Sequence, residues 1–257
     1  MIFYIMASIS VILTGIAKAG FGGGVGIAAT PILILVVPSK EALGIMLPIL
    51  CFCDWFAVYH YRKTFDLKNL TLLIPGAIIG IALASFFLLG LIPEKPLQVL
   101  IGCISILFVI YQACKTWIFK KITSYRPLDW HGWLYGISVG ITSTLAHAGG
   151  PPATMFLLPQ NMGRQLFVGT TVWLFLVVNA VKLVPYFYYD MINLERITTS
   201  ITLLPLVPIG IWLGVWMNRN LSEKMFNQVI YTILVLIGLK LITGADPIQF
   251  LAQLWNK

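Results

Sequence analysis

Apolar runs, most of them about 20 residues long and separated by short polar clusters, fill this chain from one end to the other. They cover about residues 3–20, 25–37, 42–61, 69–92, 97–119, 130–147, 153–159, 165–187, 197–218 and 223–243. A helix rises 1.5 Å per residue, so about 20 apolar residues carry it across a hydrocarbon core about 30 Å thick. Two runs are too short for that. One, VGIAATPILILVV, follows Gly20-Phe21-Gly22-Gly23-Gly24, and the other, ATMFLLP, follows Gly149-Gly150-Pro151-Pro152. The pattern predicts an all-α polytopic membrane protein in which two helices are broken or re-entrant.

The two halves repeat one another in order. Each has a hydrophobic helix, a Gly-rich break, a short apolar run and three longer segments. Gly23-Gly24 and Gly149-Gly150 lie 126 residues apart, while Gly44 and Gly169, and Asp54 and Asn179, lie 125 apart. Asp66-Leu67 and Asn193-Leu194 open matching segments, and Glu94-Lys95 and Glu223-Lys224 precede matching ones. Repeats with interrupted helices in corresponding positions are a mark of secondary transporters. The chain reads as one membrane transport domain over 1–257. Its first repeat is 1–119, its basic linker 120–130 and its second repeat 131–245.

Composition sharpens the class. Hydrophobic residues make up 59% and charged residues 10%, with mean hydropathy +0.91, where a soluble domain carries about a quarter charged residues. The net charge of +8 is therefore read as a membrane-face signal, not a nucleic-acid one. The first run lacks a basic start and leads into more hydrophobic sequence, so it is taken as the first membrane segment and not a cleaved signal. Lysine and arginine placement puts the central linker in the cytoplasm. If each short run pairs with the helix before it as a re-entrant hairpin, ten basic residues share the linker's face against five opposite. Both termini then lie outside, and the halves are inverted. If the first helix of each half crosses fully instead, the halves are parallel and the termini are cytoplasmic. Inversion is the favoured count.

The breaks are where chemistry is expected. Backbone that leaves helical form at membrane depth survives only where protein shields it or a polar cavity receives it. The N-termini of the two short helices would present free N–H groups and positive dipole ends, and two such ends make an anion site. The expected substrate-binding residues are Gly22, Gly23, Gly24, Thr30, His147, Gly149, Gly150, Pro151 and Thr154. Close helix packing is the plainer role for a membrane glycine, and it is the one expected of isolated positions such as Gly80 and Gly102. His147, at the mouth of the second break, could donate to an anion or change protonation near its reference pKa of about 6.5, or simply tie down a loop carbonyl.

Four further residues are candidates for coupling or gating. Asp54 lies inside the third run, where an ionisable group is expensive and faces protein or water. Its repeat counterpart Asn179 is uncharged. Lys182 could snorkel to an interface, and Lys18 stands about a turn before the first break. A structural hydrogen-bond anchor competes with each functional reading. Trp117, Trp130, Trp133, Trp216 and Tyr186–Tyr189 read as interfacial anchors, and His60 and His131 as structural. Cys51, Cys53, Cys103 and Cys114 read as reduced core residues with no metal-ligand spacing. No phosphate-binding loop, metal cluster or catalytic triad is visible. The expectation is therefore no enzyme, no cofactor, no metal and no nucleic-acid partner.

With these residues in view, the chain resembles the sulfite exporter TauE/SafE family, also called the probable membrane transporter family, whose permeases carry a duplicated unit. The likeness rests on AGFGGGVG with Thr30-Pro31 and on His147-Ala148-Gly149-Gly150-Pro151-Pro152, and it spans nearly the whole chain. Where the second half has His147, the first has Phe21. The resemblance implies an inner-membrane secondary transporter for a small sulfur-containing anion, such as sulfite or an organosulfonate like sulfoacetate. An anion channel, a permease for another small organic or metal substrate, a membrane enzyme and an assembly subunit are the alternatives. The expected partners are the anion and the lipid bilayer; proton or sodium coupling and a homodimer stay open.

Overall fold

The computed structural model describes residues 1–19, 25–120, 128–220 and 223–245, and every regular element among them is helical. In chain order these are α1 (Ile2–Ala19), a 3₁₀ turn (Val25–Ala28) running into α2 (Ala29–Ile34), α3 (Ser39–Tyr61), α4 (Leu67–Leu83) with a wider π turn (Ala84–Leu89), and α5 (Glu94–Lys120). The second half has α6 (Asp129–Ala146), α7 (Gly150–Leu157), α8 (Arg164–Tyr188), α9 (Leu194–Leu203), α10 (Leu206–Asn220) and α11 (Glu223–Thr243). The segments around α3, α4, α5 and α8 are long and apolar enough to cross a membrane. The α9–α10 pair, bent by 42°, makes a fifth if counted as one span. The protein is a multi-pass, all-α membrane protein. The two short apolar runs are the short helices α2 and α7.

The run expected as one helix over 197–218 is broken. Pro205 has no N–H, and its ring obstructs the carbonyl four residues back. Leu204 N–H serves the Ser200 and Ile201 carbonyls instead, and helix resumes at Leu206. Helix starts follow from local capping. Asp66 accepts from Asn69 N–H at 3.1 Å and starts α4; Asn193 accepts from Arg196 N–H at 3.0 Å and starts α9. His131 is structural as expected, its Nδ1 accepting from Leu128 N–H at 3.2 Å where α6 begins.

The closest pairings all join the first half to the second: α4 with α6, α1 with α10, α5 with α11, and α3 with α8. Lipid tails are as apolar as leucine, so packing between such helices depends on small residues that let backbones meet. Gly76 lies against Gly136 and Gly80 against the Ile137 carbonyl, so α4 and α6 run parallel in close contact. Gly15 meets Gly210 between α1 and α10, and Gly102 meets Gly238 between α5 and α11. The packing role expected of Gly80 and Gly102 is what the structure has.

The α3–α8 pair fixes a direction. Gly44, near the start of α3, lies against the Met191 carbonyl just past the end of α8. Gly169, near the start of α8, lies against the Thr64 carbonyl just past the end of α3. These two helices therefore run antiparallel. The middle of α3 supplies Ile49 and Cys53 to one buried apolar cluster, and the middle of α8 supplies Leu174 and Val178 to a second. The α3–α8 contact is the seam between them. Aromatics such as Phe86, Phe87, Trp212 and Phe187 are exposed on the outside, where lipid is their natural solvent.

Two expectations about particular residues fail. Cys103 and Cys114 are exposed, not core residues, because they lie on the outward faces of α5. Tyr186 is fully buried and is no interfacial anchor, since it lies on the face of α8 turned toward α6. Trp130, Trp133, Trp216 and Tyr188 are exposed. Residues 121–127 of the linker lie outside the described residues.

Candidate functional site

On the α3–α8 seam, five polar side chains from four places in the chain meet. Lys18, in the last turn of α1, ion-pairs with Asp54 Oδ1 in the middle of α3. Asp54 has no solvent exposure, while the Lys18 side chain keeps 25% of its own. The other carboxylate oxygen, Oδ2, accepts from Asn179 Nδ2 on α8 at 2.5 Å. Isolated in an apolar interior, a carboxylate would cost many kcal/mol. Here one oxygen faces a cation and the other an amide donor.

One turn further along α8, Lys182 is also fully buried, and it does not snorkel. Its Nζ donates to the Ser143 carbonyl at 3.1 Å, to Ser143 Oγ at 2.9 Å and to His147 Nδ1 at 3.0 Å. An ammonium has three protons and no acceptor, so all three are used. That assigns the imidazole. Nδ1 accepts, so the proton is on Nε2, which donates to the Leu43 carbonyl at 3.1 Å. His147 is thus a neutral ring held between a lysine and the backbone of α3.

The end of α6 explains why these groups gather. A helix leaves its last carbonyls without intrahelical partners and concentrates negative partial charge there. His147 turns into the left-handed region, φ 52° and ψ 31°, and closes the helix. Its N–H returns to the Ser143 carbonyl and Ala148 N–H to the Thr142 carbonyl. Lys182 takes the Ser143 carbonyl as well, and Tyr186 O–H donates to the Thr144 carbonyl at 2.6 Å. A non-glycine residue with positive φ costs about 1–2 kcal/mol and persists where its surroundings over-determine it. Lys182 and the Leu43 carbonyl supply that constraint.

The model of the sulfite exporter TauE/SafE family matches residues 7–241. The chain belongs to this family. As a TauE/SafE protein it is a membrane transporter and not an enzyme. Among the described residues no group of three His, Cys, Asp or Glu side chains is placed to hold a metal. No curated protein and no solved structure matches the chain.

In this TauE/SafE transporter the structure brings together Lys18, Asp54, Asn179, Lys182 and His147. Gly149 stands beside them. A Cβ there would lie 3.0 Å from the Phe175 ring and 3.1 Å from Ser143 Cβ. The same Phe175 ring lies under Lys18 Nζ, 5.9 Å from its centroid, so it links the end of α1 to the second break. Gly150 and Pro151 are half-buried at the start of α7. Pro151 and Pro152 have no N–H, so the first turn of α7 offers fewer free donors than its position promised. Gly22, Gly23 and Gly24 lie outside the described residues. Thr30 is buried in α2 and Thr154 half-buried in α7, and neither joins the cluster's hydrogen bonds among the described residues.

Two members went unread in the sequence. The Leu43 carbonyl had no signal, because any residue can supply one. Tyr186 had one: Asn179, Lys182 and Tyr186 stand at i, i+3 and i+7, a single face of α8. Two apolar clefts, about 480 Å³ beside Trp173 and about 400 Å³ beside Val184, have none of these five residues in their walls.

Proposed function

We propose that this protein is a secondary transporter for a small sulfur-containing anion, such as sulfite or an organosulfonate like sulfoacetate, in the inner (plasma) membrane. The observation that carries the reading is the charge of the central cluster. Two lysines, Lys182 fully buried and Lys18 partly exposed, stand against one carboxylate, and His147 adds a neutral imidazole. An anion meeting Lys18 there finds net positive charge, with Gly149 across the Phe175 ring from it. The family supplies transport; the charge balance supports an anion.

Antiparallel packing of α3 and α8 supports inverted halves. Asp54 and Asn179, matched in the two repeats, bond to each other, so they stand where an axis relating the halves would pass. Parallel halves would run α3 and α8 in the same direction. On this reading α1 with α2 and α6 with α7 are re-entrant pairs, the linker is cytoplasmic and the site is near the bilayer midplane.

The test is uptake of labelled sulfite, sulfoacetate, taurine and sulfate into proteoliposomes holding the purified protein. Saturable movement of a sulfur anion, with counterflow, is expected. Absence of both transport and binding for all four would refute the proposal.

A further inference from the structure

We propose that anion movement is coupled to a proton accepted by Asp54, an inference that rests on the anion site proposed above. Asp54 is sealed from solvent, and among the described residues its one ion-pair partner is Lys18. Lys18 is also the charged member of the cluster that retains exposure. An anion arriving at the cluster therefore meets the cation that Asp54 depends on. Once the anion takes Lys18, the buried carboxylate is left without an ion-pair partner, bonded to a neutral amide and beside a second negative charge, an arrangement with a large desolvation cost.

Lys182 cannot step in, because its three N–H groups are already given to the Ser143 carbonyl, Ser143 Oγ and His147 Nδ1. A proton on Asp54 resolves the conflict. Before binding, the cluster holds two ammoniums and one carboxylate. Afterwards it holds two ammoniums and one anionic headgroup, with Asp54 neutral, so its net charge is unchanged. Asn179 suits both states. Its amide N–H donates to the ionised carboxylate, and its amide oxygen can accept from the protonated one after a rotation.

The groups facing Asp54 are few. Lys18 comes from α1, Asn179 and Lys182 from α8, and Cys51 and Cys53 from α3 itself; His147 reaches the cluster through Lys182. α2 carries no titratable side chain. Glu94 of α5 and Arg196 of α9 touch α3 at Ser39 and Gly44, ten or more residues from Asp54, which is about 15 Å along a helix. No other carboxylate among these groups competes for the proton.

The experiment uses the whole protein in liposomes containing a pH-sensitive dye, with labelled sulfoacetate as probe and voltage clamped to zero. A sulfonate is fully ionised near neutral pH, so any proton that moves is carried by the protein. The expected result is one proton entering per sulfoacetate, up to about tenfold accumulation per unit of pH gradient, and no response to a sodium gradient. Asp54→Asn should lose the proton movement; if that variant fails to fold, the wild-type stoichiometry decides. Sulfoacetate uptake without protons, or driven by sodium, overturns the coupling and leaves the anion site standing. If neither sulfoacetate nor sulfite moves under any gradient, the anion site itself is wrong and the coupling falls with it.

Discussion

Asn179 donates a 2.5 Å hydrogen bond to Asp54 across the seam of the molecule, although 125 residues separate them. One carries a charge that the other lacks. A single carboxylate therefore stands on the α3–α8 seam, with Lys18 on one side and the Lys182–His147 pair on the other.

Replacing Lys18 with Met should be more damaging than its partial exposure suggests, because Asp54 would stay buried without a counter-charge. A loss of about 3–5 kcal/mol is expected, read as a fall in the thermal midpoint in detergent. Adding Asp54→Asn should restore most of it. If the two losses simply add, the pair is not coupled.

At His147, Gly and Ala variants separate backbone strain from ring chemistry. Both remove the contacts to Lys182 and Leu43, but only Ala keeps a Cβ in the left-handed region. His147→Gly should be the more stable by about 1 kcal/mol. Transport of sulfite or sulfoacetate should fall at least tenfold in both. Normal rates in either would remove the ring from the site.

Gly44→Ala and Gly169→Ala should each cost about 1–3 kcal/mol, since the new methyl group would run into the Met191 or Thr64 carbonyl and force the helices apart. Gly163→Ala is the control, because nothing lies within 4 Å of where its Cβ would be; a change within about 0.5 kcal/mol is expected. Equal loss at all three sites would mean the α3–α8 approach is not tight.

Inverted halves make a labelling prediction. A single cysteine placed within residues 121–127 should react only from the cytoplasmic side, and ones near either terminus only from outside. Labelling of all three from the cytoplasmic side would establish parallel halves.

Much of this was legible in the sequence because a bilayer imposes simple rules. Apolar length reports a span, and glycine or proline reports an interruption, so α2 and α7 were visible as short helices and Asp54 and Lys182 as costly charges. The break between α9 and α10 is hidden in the sequence because Pro205 sits inside a run, 197–218, that carries no charged residue. Thr30 and Thr154 stand out in the sequence only by their position on the short helices, and position alone does not say which face a hydroxyl is on.

By itself, the sequence determined the class of the protein, its short helices and the identities of the buried charges. Those features depend on composition and spacing, which no folding step can alter. The tertiary structure decided who partners whom. Lys18 meets Asp54, Lys182 turns inward to cap the end of α6, and Tyr186 follows it, because helices packed through glycine bring their carbonyls and side chains within reach of residues more than thirty positions away. Which carbonyl a lysine reaches is fixed only when the helix ends are in place.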